Sequence, residues 1–160
     1  MLNGKEIAEK GWITALLPQN ITQHGIDLRI IKVEASLGNG KIPCEGKTIL
    51  PNYVELNPDK NGIWNLAPGD YQITFAEGCQ IPSDHMMKIV QRSSLRRCGA
   101  IINSPLFDAG FHTENMGTFM QVVNPLSIEK YARVAQCYFH KATPVENLYD
   151  GQFQNDKQRA

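Results

Sequence analysis

The chain of 160 residues has little that would direct it to a membrane or to nucleic acid. It carries 16 basic and 16 acidic residues, so its formal net charge is zero and no overall field draws it to a polyanion or an anionic lipid surface. No apolar run approaches the roughly 20 residues of a membrane span, and the first residues lack the apolar segment of a signal peptide. We therefore expect a cytoplasmic protein without nucleic-acid or membrane partners.

Cysteine is also scarce. The four cysteines, Cys44, Cys79, Cys98 and Cys137, are widely separated and form no Cys-x-x-Cys pair. This spacing indicates neither a disulfide framework nor a zinc site. We predict that all four are reduced residues with a packing role.

Apolar residues that alternate with polar ones predict a chain built mainly of β-strands. One helix is expected near the N-terminus, where Asn3 can cap a segment that runs to Lys10 and Gly11 can end it. Five segments are predicted as strands: 26–33, 71–75, 86–90, 118–123 and 132–139. Many short strands with little helix are typical of an antiparallel sandwich or barrel, so we predict an all-β fold of jelly-roll type.

The length of the chain fits one domain with a substantial core. We assign residues 1–150 to this domain. Residues 151–160 are polar except for Phe153 and are predicted to form a mobile C-terminal tail.

Residues 92–97, Arg-Ser-Ser-Leu-Arg-Arg, concentrate positive charge and hydroxyl donors in one short segment. A phosphate group needs charge-assisted donors, and arginine supplies two parallel hydrogen bonds while serine hydroxyls fill other oxygen positions. A lone carboxylate, Asp108, follows after an apolar stretch and is close to Phe111. Together these features suggest a polyphosphate site next to a catalytic acid, although a solvated basic turn explains the run alone equally well.

The run is one of five short motifs that follow one another along the chain. They are 25–28 (Gly-Ile-Asp-Leu), 92–95 (Arg-Ser-Ser-Leu), 108–111 (Asp-Ala-Gly-Phe), 132–136 (Ala-Arg-Val-Ala-Gln) and 149–152 (Tyr-Asp-Gly-Gln). In this order and at these separations they resemble the motifs of the superfamily formed by dUTP diphosphatases (dUTPases) and dCTP deaminases. The resemblance extends over nearly the whole chain, from the N-terminal helix to Gln152.

The resemblance implies a distorted jelly roll or β-barrel that assembles as a homotrimer, with each active site at a subunit junction and closed by a C-terminal segment. The residues that would contact the triphosphate are Arg92, Ser93, Ser94, Arg97 and Gln136. The residues that would contact the nucleoside are Phe111, which would lie against the deoxyribose and disfavour a 2′-hydroxyl, Tyr149 and Gln152. Asp108 would hold the reactive water or the position beside the 3′-hydroxyl, and Asp27 would support that site.

Each of these residues also has a structural alternative. Asp27 and Asp108 both lie near glycines and could shape turns. Phe111 could belong to the core. Gln136 lies on an otherwise apolar strand, where a buried amide needs a partner, and that partner could be backbone rather than phosphate.

The superfamily carries out two reactions. Hydrolysis of dUTP to dUMP and pyrophosphate needs a carboxylate that takes a proton from water, here Asp108, and Mg²⁺ that is bound through the substrate phosphates with no direct side-chain ligand. Deamination of dCTP is zinc-free and depends on a glutamate on the strand after the aspartate motif. That position falls on Gln121, whose amide cannot accept and return a proton at neutral pH. The sequence therefore favours a dUTP diphosphatase, which would limit uracil in DNA.

Two alternatives stay open. The motif at 149–152 is of the deaminase type, although Leu148 replaces the usual lysine, so a dCTP deaminase or a bifunctional enzyme is the first alternative. The second is a non-catalytic relative that binds nucleotide as a regulator. An insertion at 112–117 lies where the hairpin that reads the pyrimidine is expected, so the choice of base is the least determined feature.

Overall fold

The structure, a computed structural model, describes residues 1–156. This part of the chain contains the α-helices α1 (Gly4–Lys10) and α2 (Ser93–Arg97) and 3₁₀ turns at Pro18–Asn20 and Gln154–Asp156. The strands are β1 (Ile26–Leu37), β2 (Asn52–Glu55), β3 (Ile63–Leu66), β4 (Gly69–Phe75), β5 (Cys79–Gln80), β6 (His85–Gln91), β7 (Ala100–Phe107), β8 (His112–Thr113), β9 (Gly117–Val122), β10 (Leu126–Glu129) and β11 (Arg133–Lys141).

Six of these strands close into an antiparallel barrel. Their order is β11-β6-β7-β9-β4-β1, and β1 pairs again with β11 to complete the ring. The length of β1 makes closure possible, because residues 26–29 pair with β11 and residues 30–35 pair with β4. Strand β2 adds to the far end of β1, and the pairs β3–β10 and β5–β8 form two small separate sheets. This architecture confirms the predicted all-β barrel of jelly-roll type.

The barrel interior is apolar because alternate side chains of each strand point inward. On β9, Met120 is fully buried, whereas its neighbours Phe119 and Gln121 are exposed. Phe75 and Phe139 are the largest of the fully buried side chains in the core. Burial of each such side chain is worth about 1.5–3 kcal/mol.

Helix α1 begins and ends where the sequence predicts. The Asn3 side chain accepts a hydrogen bond from the Glu6 backbone N–H at 2.9 Å, and the Glu6 carboxylate accepts one from the Asn3 N–H at 2.8 Å. This reciprocal capping box satisfies two backbone donors at the start of the helix. Gly11 ends it in the left-handed region, with φ of 66°. None of the helices within residues 1–156 is long and apolar enough to cross a membrane.

All five predicted strands form, with bounds that shift by a few residues. The sequence does not predict β7, because Asn103, Ser104 and Pro105 interrupt its apolar pattern. Pro105 is tolerated because β7 pairs with β9 only as far as Asn103, and because Pro105 falls at an irregularity in the pairing with β6.

The cysteine prediction is partly wrong. All four cysteines are free, and Cys79 and Cys137 are buried as expected. Burial raises the pKa of the Cys79 thiol to about 12. Cys44 and Cys98 are exposed and have no packing role, because they lie in a loop and after a short surface helix rather than on barrel strands.

The polar C-terminal residues pack against the body of the protein in the part that is described. Gln154 is only 5 % exposed and makes hydrogen bonds to the backbone of residues far from it in the chain. Composition alone does not reveal such a specific buried amide, and the mobility of the tail stays a prediction. Residues 157–160 of the predicted tail lie outside the described residues.

Candidate active site

Charged side chains from three motifs meet where β1, β11 and the start of α2 come together. The Oδ2 atom of Asp27 lies 3.2 Å from Arg92 Nε and 3.6 Å from Arg133 Nη1. Strand register places Asp27 opposite Gln136 on β11. Arg92 Nη1 also donates a hydrogen bond to the backbone oxygen of Arg133 at 3.2 Å. We call Asp27, Arg92 and Arg133 the arginine cluster.

Asp27 is the buried member of the arginine cluster. Its side chain is 2 % exposed, whereas the side chains of Arg92 and Arg133 are 35 % and 39 % exposed. Burial raises the pKa of Asp27, and the two arginines and Gln136 oppose this rise without cancelling it. The buried carboxylate can therefore orient the two guanidinium groups, which remain partly exposed to solvent.

Gln136 has a definite partner within the protein, which is a side-chain hydroxyl rather than the backbone. Its Nε2 donates to the Thr22 hydroxyl at 2.6 Å, and that hydroxyl donates to the Gly25 carbonyl at 2.9 Å. A Cβ atom at Gly25 would lie 2.4 Å from the carbonyl oxygen of Cys137. The glycine of the first motif therefore allows the chain before β1 to approach β11 closely and place Thr22 beside Gln136.

The arginine-serine run forms helix α2 rather than an extended or tightly turning segment. Arg92 is its N-cap residue, Ser93 and Ser94 are exposed on the first turn, and the buried Leu95 anchors the helix. Arg97 is exposed on the last turn, where positive charge is favourable. The two serines lie directly after Arg92 and extend the donor set of the arginine cluster.

A cavity of about 340 Å³ opens beside the 108–111 turn. Asp108, Phe111 and Tyr149 all line it. The Phe111 ring packs against those of Phe107 and Tyr149, with centroids 5.3 Å and 5.7 Å away. Other lining residues carry amides or hydroxyls, namely Gln72, Asn103, Thr113, Asn115 and Thr118. Among the lining residues within the described chain, Asp108 is the only carboxylate and no lysine, arginine or histidine occurs. We call this space the aromatic cavity.

Gln121 and Gln152 belong neither to the arginine cluster nor to the described lining of the aromatic cavity. Gln121 is exposed on β9, on the same face as Phe119, and lines an adjoining depression with Asp70. Gln152 contacts Thr48 instead: its Oε1 accepts a hydrogen bond from the Thr48 N–H at 3.1 Å. Gln152 therefore attaches the C-terminal residues to the 38–51 loop.

Asp108 and the arginine cluster lie near opposite ends of β6. Phe107, next to Asp108, pairs with Met87 near the start of β6, and Arg92 follows its last residue. The five steps along the chain from Met87 to Arg92 span roughly 16 Å at about 3.3 Å each. One chain therefore places Arg92 near Gln136, and separately places Asp108, Phe111 and Tyr149 around one cavity, but it leaves Asp108 distant from Arg92 along β6.

Sequence reasoning missed the fully buried carboxylate of Glu77, next to the arginine cluster. Its Oε1 accepts hydrogen bonds from Asn20 Nδ2 at 2.9 Å and Arg29 Nε at 2.6 Å, and its Oε2 accepts one from the Arg29 N–H at 2.8 Å. Asn20 Nδ2 also donates to the Asp27 carbonyl at 2.7 Å. Glu77 thus fixes the backbone after Asp27, where the β1–β11 register shifts. No pattern in the nearby sequence predicts this role of Glu77, because its partners Arg29 and Asn20 lie 48 and 57 positions away in the chain.

The described side chains form no complete metal site by themselves, but they are compatible with a metal ion that is already bound to the phosphates of a substrate. Within residues 1–156 no group of three or more histidine, cysteine, aspartate or glutamate side chains could hold an ion. The Asp27 carboxylate faces two arginines, and Asp108 is the single carboxylate of the aromatic cavity. Mg²⁺ keeps several of its waters and can be held largely by substrate phosphates, and the described side chains are compatible with that mode.

Comparisons with known proteins agree with the motifs. The sequence model of a family described as dCTP deaminase-like matches residues 3–142. The deoxyuridine 5′-triphosphate nucleotidohydrolase of Methanocaldococcus jannaschii is 37 % identical over 144 residues, which cover 89 % of this chain and 92 % of that protein. A probable deoxyuridine 5′-triphosphate nucleotidohydrolase of Halobacterium salinarum is 32 % identical over 86 % of this chain and 84 % of its own length. The dCTP deaminase of Acidianus ambivalens is 28 % identical over 96 % and 90 % of the two chains.

A solved structure supports the fold. The crystal structure of 2′-deoxycytidine 5′-triphosphate deaminase from Agrobacterium tumefaciens matches 88 % of this chain with a TM-score of 0.68 and 15 % sequence identity. The match spans about half of that chain, 48 % of its length, and therefore concerns the fold alone. The sequence model, the relatives and the barrel agree, and the chain belongs to the dCTP deaminase-like family.

Proposed function

We propose that this protein is a dUTP diphosphatase, which hydrolyses dUTP as its Mg²⁺ complex to dUMP and pyrophosphate. The observation that carries the proposal is the aromatic cavity with Asp108 as its only charged lining residue within the described chain. The names of relatives that are 37 % and 32 % identical over most of both chains support the same reaction.

The aromatic cavity suits the nucleoside part of the substrate. Phe111 and Tyr149 offer apolar ring surface against which a deoxyribose or a pyrimidine can pack. Amides and hydroxyls in the lining can donate to and accept from the edges of a neutral base. A triphosphate would find no cation here, so it must extend to a different set of residues.

The arginine cluster and the start of α2 would supply that set. Arg92 and Gln136, together with Ser93, Ser94 and Arg97, would bind the phosphates. Because Asp108 and the arginine cluster lie near opposite ends of β6 in one chain, we infer that the phosphate contacts come from a second subunit. A homotrimer would place the arginine cluster of one subunit against the aromatic cavity of the next, with one complete site at each junction.

In the reaction, Asp108 would accept a proton from a water molecule that attacks the α-phosphorus. A bond forms between the water oxygen and this phosphorus, and the bond to the bridging oxygen breaks, so pyrophosphate leaves with that oxygen. Arg92 would stabilise the negative charge that develops on the phosphate oxygens, and Asp27 would keep Arg92 in position. Mg²⁺, bound through the phosphates, would neutralise further charge.

The aromatic cavity gives no support to deamination. The proton relay of the family's deaminases needs a glutamate beside the pyrimidine, and the described lining contains none. Gln121, at the corresponding position, lies in the adjoining depression. We therefore expect no release of ammonia from dCTP.

Three parts of this proposal stay predictions. They are the homotrimer, the binding of Mg²⁺ through phosphates only, and a cytoplasmic location. The roles of the individual site residues are also predictions, and substitution can test each of them.

The direct experiment incubates purified protein and Mg²⁺ with dUTP, dCTP and dTTP side by side and measures pyrophosphate and ammonia. We expect pyrophosphate from dUTP and a loss of about 10²–10⁴-fold in kcat for Asp108→Asn. Asp59→Asn is the matched control, because Asp59 accepts two backbone hydrogen bonds in a distant turn and an asparagine oxygen can accept both. Ammonia from dCTP would establish a deaminase, and tight binding of dUTP without turnover would establish a non-catalytic relative.

A further inference from the structure

The C-terminal segment, residues 148–154, lies across the turn that carries Asp108. The Tyr149 N–H donates a hydrogen bond to the Ala109 carbonyl at 2.9 Å. Gly110 has a φ of 87°, and a Cβ atom there would lie 2.6 Å from the Leu148 Cβ atom. The segment and the turn are therefore in such close contact that a displacement of one must disturb the other.

The side chain of Gln154 completes this contact. Its Nε2 donates to the carbonyl oxygens of Gly110 at 2.9 Å and Tyr149 at 3.2 Å, and its Oε1 accepts from the His112 N–H at 3.0 Å. An amide side chain has two donor hydrogens and one acceptor oxygen, so every polar group of this buried side chain is bonded to backbone. Glutamate would lack the donors in its charged form, and alanine would lack all three bonds.

The geometry points to Gln154 as a positioning residue for dUTP hydrolysis, an inference that rests on the proposed function. Gln154 is absent from the described lining of the aromatic cavity, whereas Tyr149 and Asp108 both line it. The amide connects these two by bonding to the Tyr149 carbonyl and to both sides of Phe111, at Gly110 and His112. It therefore holds the aromatic surface and the catalytic carboxylate in one arrangement.

The first test compares the steady-state kinetics of Gln154→Ala with those of wild type on dUTP. Loss of three hydrogen bonds to backbone should lower kcat/KM by about tenfold to a hundredfold. Gln80→Ala is the matched control: it removes the same amide from an exposed position on β5, the strand that pairs with His112. This control should leave kcat/KM unchanged. A value for Gln154→Ala within about twofold of wild type would overturn the inference.

Gln154→Glu adds a pH readout that a general packing role would not give. An ionised carboxylate there can accept from the His112 N–H but faces the carbonyl oxygens of Gly110 and Tyr149, which raise its pKa. Protonation restores one donor. The kcat/KM of Gln154→Glu relative to wild type should therefore rise as the pH falls from 8 towards about 5. A ratio that stays constant with pH and equals that of Gln154→Ala would contradict the positioning role.

Amide hydrogen exchange separates this inference from the proposed function. In Gln154→Ala the His112 and Tyr149 N–H groups should exchange at least about tenfold faster than in wild type, while barrel amides stay protected. If wild type fails to hydrolyse dUTP, the proposed function fails, and the exchange rates still show whether the amide holds the segment. If wild type is active and these exchange rates do not change, the inference about Gln154 is wrong.

Discussion

Replacement of Arg92 by glutamine tests the electrostatics of the arginine cluster. The change removes a cation 3.2 Å from Asp27 and leaves Arg133 at 3.6 Å. At an effective dielectric constant of about 20, the Coulomb energy of the lost pair is about 5 kcal/mol, which is an upper limit. Arg92 is 35 % exposed, so solvent screens much of this energy. We expect Arg92→Gln to lower the free energy of unfolding by about 1–3 kcal/mol at neutral pH.

The loss should depend on pH in a defined direction. Burial raises the pKa of Asp27 above its ordinary value of 3.8, so the native state holds this proton more tightly than the unfolded chain does. The free energy of unfolding therefore falls as the pH rises through the interval between 3.8 and the native pKa. Without Arg92 that pKa rises further and the interval widens. The difference between wild type and variant should be largest at neutral pH and shrink as Asp27 becomes protonated.

Urea unfolding at pH 7.5 and at about pH 4, at one protein concentration, measures this difference. Arg96→Gln is the matched control, because Arg96 is an exposed arginine on the same short helix and no ion pair of it with the described residues is seen. The control should unfold like wild type at both pH values. A difference between Arg92→Gln and wild type that is the same at both would refute the electrostatic reasoning, since loss of packing does not depend on the protonation of Asp27.

Three further substitutions test other contacts. Glu77→Gln removes the charge that pairs with Arg29 in a fully buried site, and should lower the free energy of unfolding in urea by about 3–5 kcal/mol. Gly110→Ala forces a side chain against Leu148 at a φ of 87°; it should accelerate proteolysis of the C-terminal segment while the thermal unfolding of the barrel stays unchanged. Phe111→Ala should raise KM for dUTP by about tenfold or more and reduce the preference for dUTP over UTP; an unchanged preference would exclude contact with the deoxyribose.

Local signals in the sequence predict most of the barrel. Five strands follow from alternation, because inward side chains of a barrel are apolar at every second position. The capping box of α1 is readable because Asn3 and Glu6 are neighbours in the chain. Strand β7 is not predicted, because strand propensity excludes proline. Pro105 is nevertheless tolerated, since β7 does not pair regularly with β6 or β9 at that residue.

The candidate site is predictable only where a motif carries it. Residues of the first, second and fourth motifs meet in the arginine cluster because strand pairing brings Asp27 opposite Gln136. Glu77 and Gln154 carry no such signal, because their partners are distant in the chain and the contacts exist only after folding. The helical form of residues 93–97 was also hidden, since a five-residue segment with one apolar side chain has no periodicity.

A complementation assay tests the shared active site most directly. Ser93→Asp places a negative charge at one of the proposed phosphate contacts, an exposed position, and Asp108→Asn removes the proposed base, so each variant alone should lack dUTP hydrolysis. If each site combines the cavity of one subunit with the arginine cluster of another, randomly mixed trimers of the two variants regain activity in roughly a quarter of their sites. Recovery of pyrophosphate release from dUTP to about that level after mixing and reassembly is the expected result. Mixed trimers with no more activity than the separate variants would contradict a site shared between subunits.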